Sequence, residues 1–162
     1  MPAGQVTRVS RMHPRNPIYS KIRCYYNRQG QKKTSHMELI EALKRREPVF
    51  QHPEFGITQK DFENLTASEY YGIDSYGRRY SRAQAITTAL AMYEDPSYQG
   101  IHSWPKGTWE IGKFEWHKLS PNKVLVTYML LTRNQLTRRT SIWQLSTRNW
   151  KILFHQATPV QP

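Results

Sequence analysis

The sequence predicts an α+β domain, helices in its first half and strands in its last third. Two changes of hydrophobic period and one charge partition carry that expectation. Apolar residues recur at helical spacing between Leu39 and Tyr93, then give way to four runs rich in β-branched and aromatic residues from Trp109 onward. Residues 1–37 hold eight basic and no acidic residues, whereas the remainder holds 16 basic and 12 acidic ones. This asymmetry places a boundary near residue 35, dividing a basic, largely unstructured extension (1–35) from a folded unit (36–160).

Each element follows from local chemistry. Ser35 and Glu38 form the S-x-x-E pattern of a capping box, and Leu39, Ile40 and Leu43 then make one apolar stripe until Pro48 stops the helix. Val49 to Gly56, with two of the chain's turn formers, reads as an irregular loop. Thr58 caps a second short helix from Gln59 to about Leu65 that turns Phe62 and Leu65 inward. Between Tyr70 and Tyr80 the pattern is strand, tight turn at Asp74, Ser75 and Gly77, and short return strand. Ser81 and Gln84 open a third helix to about Tyr93, whose apolar face is Ala85, Ile86, Ala89, Leu90 and Tyr93. Glu94-Asp95-Pro96 ends it, and a loop rich in Pro, Gly and Ser runs to Gly107. The runs 109–119, 124–133, 137–146 and 150–158, joined by short polar turns, predict an antiparallel meander with helices on one face.

Composition narrows the class. The chain has 162 residues, 38% of them hydrophobic, enough for one core. Its longest apolar run, Val124 to Leu131, is far short of a bilayer crossing, and no secretory signal is evident. Cys24 is the sole cysteine, so an intramolecular disulfide and a cysteine-built zinc site are excluded. A reducing, cytoplasmic location is the expectation.

Several stretches taken together resemble the family called domain of unknown function 4440. They are Arg46-Glu47-Pro48-Val49-Phe50, Pro53-Glu54-Phe55-Gly56, Gly77 through Arg82, Thr127-Tyr128, Arg139 through Trp143, and Trp150 through Pro159. That family is placed in the nuclear-transport-factor-2-like (NTF2-like) superfamily with ketosteroid isomerase and the SnoaL-like polyketide cyclases. The resemblance covers residues 38 to 160. It implies a cone-shaped barrel in which three helices pack on a strongly curved antiparallel sheet around a central pocket, with homodimers formed through the outer sheet face. The stretch Pro96 to Thr108 is longer than the family's usual loop and bears on the pocket mouth.

Candidate site residues follow from strand parity. Arg139, Ser141, Trp143 and Leu145 share one face of their strand; Lys151, Leu153, His155 and Ala157 share one face of the last, opposite Trp150, Ile152, Phe154 and Gln156. Ser141, Trp143 and His155 are the expected pocket residues, joined by Tyr71, Tyr128 and His102, because they combine a hydroxyl, an indole and imidazoles with apolar neighbours. His155 is the candidate acid/base, its imidazole titrating near neutrality. Isomerase chemistry of the ketosteroid type is disfavoured, since Asp74 sits in a turn and Glu110 and Glu115 fall on opposite faces by period two. The six histidines show no ligand-like pairing, so neither a metal nor a cofactor is expected. The reading is a small-ligand-binding or accessory module. Its alternatives are an enzyme acting on a small apolar or aromatic molecule, and a nucleic-acid or ribonucleoprotein partner.

That last alternative rests on Arg8, Arg11, Arg15, Lys21, Arg23, Arg28, Lys32 and Lys33, interleaved with Tyr19, Tyr25 and Tyr26. If these residues bind nucleic acid, deleting residues 1–34 removes most affinity for a single-stranded oligonucleotide and flattens its salt dependence. Equal binding by the truncated chain, measured by fluorescence anisotropy across a salt series, contradicts the idea.

Overall fold

The structure is a computed structural model, and it describes residues 36–133 and 135–161. The expectations placed on the basic extension and on the Ser35 cap lie outside the described residues. Three helices appear where the periodicity places them: α1 (His36–Lys44), α2 (Gln59–Leu65) and α3 (Arg82–Tyr93). Strands β1 (Thr66–Ile73) and β2 (Arg79–Ser81) separate α2 from α3. Strands β3 (Glu110–Ser120), β4 (Lys123–Thr132), β5 (Gln135–Ser146) and β6 (Asn149–Pro159) follow. Short 3-10 turns, Pro53–Phe55 and Gly100–Ser103, punctuate the two long loops.

Helix α2 begins at a reciprocal box in which Thr58 accepts from the Asp61 amide and the Asp61 carboxylate receives the Thr58 amide. Ser81 and Gln84 make the same arrangement at α3. Asp74 ties the β1–β2 turn by accepting from the amides of Tyr76 and Arg78.

The sheet corrects two expectations. Its order is β2-β1-β6-β5-β4-β3, and β1 runs parallel to β6, so the sheet is mixed rather than antiparallel. It is also open, ending at β2 on one side and β3 on the other, and is not a closed barrel. The meander β3 to β6 is antiparallel as expected; β1 joins it beside the last strand, after which the chain crosses through β2 and α3 to the far edge. Nothing in the alternation of β1 specifies the direction of a neighbour that lies so far along the chain, Thr66 pairing with Ile152 and Tyr71 with Phe154.

Bulges reset strand parity. On β6, Ser141 pairs with His155 and Ile142 with Phe154, but Trp143 pairs with Ile152, leaving Leu153 as an extra residue. Trp150, Ile152, His155 and Ala157 are consequently all buried, although period two puts the first two opposite the last two. On β3 the register slips between Gly112 and Glu115, with Lys113 at a φ of 48°. Glu110 and Glu115, opposite Leu131 and Thr127, therefore share the outer face instead of facing apart.

The core lies between α1 and the inward sheet face, where Leu39, Ile40 and Leu43 meet Val49, Tyr70, Val124, Val126, Trp143, Trp150 and Ile152. A smaller cluster of Phe62, Ile86 and Ala89 joins α2 to α3. Arg82 links them further, donating to Thr66 Oγ1 at 2.9 Å and to the Glu63 carbonyl at 2.9 Å. Because Ser81 caps the helix carrying Ile86 and Ala89, Ser81→Ala should destabilise the fold by about 1 kcal/mol, read from denaturant unfolding. An unchanged midpoint would contradict this role.

Candidate functional site

A carboxylate stands at the centre of the inward face. Glu47 follows α1, where the chain turns back toward the sheet ahead of Pro48, and it is 1% exposed. Its Oε2 accepts from the Tyr128 hydroxyl of β4 at 2.9 Å, and its Oε1 accepts from Trp143 Nε1 of β5 at 3.0 Å. Ser141 of β5 is a third polar neighbour, and it favours the ionised form of the carboxylate. Ser141 Oγ lies 2.8 Å from His155 Nδ1 of β6, and His155 Nε2 lies 3.4 Å from Arg139 Nη1. Arg139 Nε in turn donates to Thr137 Oγ1 at 3.1 Å. Side chains from one loop and three adjacent strands thus form a single polar line.

Proton positions along the line are fixed from one end. A guanidinium only donates, so His155 Nε2 must present its lone pair to Arg139. A neutral imidazole then carries its proton on Nδ1 and donates to Ser141 Oγ, which leaves the serine hydrogen free to donate to Glu47. Burial, aided by the nearby charge of Arg139, pushes the His155 pKa down to about 3, which keeps the ring neutral. Burial pushes the Glu47 pKa up, while its bonds from Ser141, Tyr128 and Trp143 and the charge of Arg139 pull the other way. The Tyr128 hydroxyl is pushed far up by burial and by the negative Glu47. Beside this line, the hydroxyls of Tyr70 and Tyr80 approach to 3.3 Å, both pushed up by burial.

Four of the residues named from sequence, Tyr128, Ser141, Trp143 and His155, come together here, and two do not. Tyr71 lies on the opposite sheet face, edge-on to Phe154 and beneath the Arg79 guanidinium at 4.6 Å. His102 is an exposed residue whose Nε2 meets Glu54 Oε2 at 3.1 Å; the other oxygen of Glu54 meets His52. Among the described residues no three His, Cys, Asp or Glu side chains gather as a metal site. Glu47 and Arg139 are the functional side chains that the sequence does not single out. The expected place for a carboxylate is an apolar strand, whereas the one present comes from a loop. The available signal was an acidic residue caught between a helix end and the apolar Pro48-Val49-Phe50.

The loop carrying Glu47 is strapped to the long connection after α3. Tyr93 donates to the Phe50 carbonyl at 3.0 Å, Ile101 N–H to the Gln51 carbonyl at 2.7 Å, and Tyr98 to the Gln51 side chain. Gly100, at a φ of 56°, lies so close to Gln51 and the Tyr93 hydroxyl that a side chain there would collide with both. His52 Nε2 also contacts the Glu47 carbonyl, at 2.9 Å. The expected long loop, 96–108, is therefore a brace for the segment that positions the carboxylate.

No family model matches the chain, and neither does any curated protein. Solved structures do. A protein with a cystatin-like fold from Caulobacter vibrioides aligns at 14% identity and a TM-score of 0.55, over 78% of this chain and 90% of its own. An NTF2-like protein of unknown function in nutrient uptake from Rhodospirillum rubrum aligns at 12% and 0.51, over 78% and 100%. Another NTF2-like protein of unknown function, from Silicibacter pomeroyi, aligns at 12% and 0.53, over 78% and 99%. At such identities the likeness defines architecture alone: three helices and a six-stranded mixed sheet in the cystatin-like, NTF2-like α+β fold.

Proposed function

We propose that the chain is a small-ligand-binding module of the domain-of-unknown-function-4440 and SnoaL-like type, its sheet curving into a cone whose pocket receives a small apolar or aromatic molecule. The observation that carries this reading is the concentration of polar side chains on one interior face. Thr137, Ser141 and His155 are buried on a sheet face filled mostly by aliphatic and aromatic side chains, and the buried Glu47 meets that face from its loop. Apolar residues of similar volume would give at least equal stability at those positions, so a polar line of this length favours recognition over packing. The parity-breaking bulges on β3 and β6 support the cone, since bulges bend and twist the strands they interrupt. Arg139 is half-buried between the buried Thr137 and Ser141 on the inward row of β5, and its guanidinium marks the proposed side of ligand entry.

A second copy of the chain is the proposed partner on the outer face. Tyr71, Phe154, Ile142 and Leu125 form one half-buried cross-strand row there. Where the module also acts as an enzyme, the acid/base role moves from His155 to Glu47: burial holds the His155 ring neutral, whereas burial raises the Glu47 pKa, the direction a general base needs.

Titration of ¹⁵N-labelled protein with indole, a neutral aromatic probe, tests the module. Saturable shifts confined to the signals of His155, Trp143 and their inward neighbours are expected, and no perturbation of that face at millimolar indole contradicts the reading. Glu47→Gln keeps the shape but turns an acceptor into a donor against Tyr128 or Trp143. It should lose about 1–3 kcal/mol of unfolding stability, and full stability would remove Glu47 from the centre of the site.

A further inference from the structure

We infer that Arg139 anchors a subsite for the carboxylate of a small monoanionic ligand, an inference that rests on the interior binding site proposed above. The guanidinium is half-buried on the inward face and held at two corners, Nε by Thr137 and Nη1 by His155. Both partners are neutral. Among the described residues no carboxylate lies within ion-pair distance of it, and its Nη2 makes no hydrogen bond. A cation partly withdrawn from water gains from an anionic partner, and a guanidinium pinned at Nε and Nη1 keeps a fixed orientation in which to receive one.

The surroundings select the anion. Ala157 faces Arg139 across β6 and Tyr128 faces it across β4, and the positive charge also reaches Tyr80, so the walls are apolar or aromatic with hydroxyl tips. Behind the guanidinium, the Glu47 carboxylate is close enough to be stabilised by Arg139. A dianion such as phosphate would meet that negative charge with only one guanidinium in front of it. A monocarboxylate on a compact apolar or aromatic body matches one planar fork, one neutral imidazole and those walls. His155 acts here as a positioning residue: its Nε2 lone pair fixes Nη1, and its Nδ1 is held by Ser141.

Calorimetric titration of the full chain with benzoate and with benzamide, its neutral isostere, at constant ionic strength tests the assignment. Benzoate should bind at least tenfold more tightly than benzamide. In Arg139→Gln that preference should vanish while benzamide affinity is unchanged, and inorganic phosphate should displace benzoate no better than chloride does. Equal wild-type affinities for the two compounds, or undiminished benzoate binding by a folded Arg139→Gln, overturn the anchor but leave the interior site standing if benzamide binds. Phosphate competing as well as benzoate overturns the monocarboxylate class, and binding of neither compound removes both the subsite and the site. If Arg139→Gln fails to fold, Arg139→Lys decides. It keeps the charge without the fork, so at least a threefold loss confined to benzoate supports the subsite and no loss overturns it.

Discussion

Taking a carboxylate out of water costs several kcal/mol unless strong donors replace the solvent, and Glu47 is enclosed with two, Tyr128 and Trp143. The donors come from β4 and β5, while the carboxylate comes from the loop after α1. Satisfying it therefore fixes how the first helix sits over the sheet. The same demand reaches β6, because the Ser141 hydrogen can favour the Glu47 charge only if the other neighbour of Ser141 leaves it free. His155 Nδ1 does this, and it is oriented in turn by Arg139. A requirement that begins at one buried charge thus propagates across three strands.

Sheet irregularities let this happen. A regular β6 would send His155 outward whenever Trp150 and Ile152 faced the core. The extra Leu153 returns His155 and Ala157 to the inner face, so one strand supplies core at one end and recognition chemistry at the other. The bulge at Lys113 plays a matching part on β3, bringing Phe114 into a stack with Tyr128, the tyrosine that holds Glu47. On the opposite side, the Gln51 backbone and side chain bind the connection after α3, so the loop bearing the carboxylate is braced from two directions. Function and architecture are coupled here through backbone geometry more than through helix packing.

Local chemistry was legible in the sequence, and long-range geometry was not. The caps at Thr58 and Ser81, the apolar stripe of α1 and the four late strands each rest on residues within a few positions of one another, and all are present. The parallel neighbour of β1 and the slips at Leu153 and Lys113 depend on residues far apart in the chain, so alternation could not reveal them. Ser141, Trp143 and His155 were found by chemical type, and they converge even though the parity argument for β6 fails midway. Glu47 escaped because a loop acid before a proline resembles a solvent-facing helix end. Only the positions of Tyr128 and Trp143 disclose that it is buried.

The central claim is a directed hydrogen-bond line from Arg139 through a neutral His155 to Ser141, which faces the buried Glu47. The most direct measurement is a ¹⁵N NMR titration of the His155 imidazole in the full chain. The account predicts a proton on Nδ1, a bare Nε2, and no titration until the pH falls well below the ordinary 6.5, toward about 3. A ring protonated on Nε2, or one that titrates near 6.5, would contradict it.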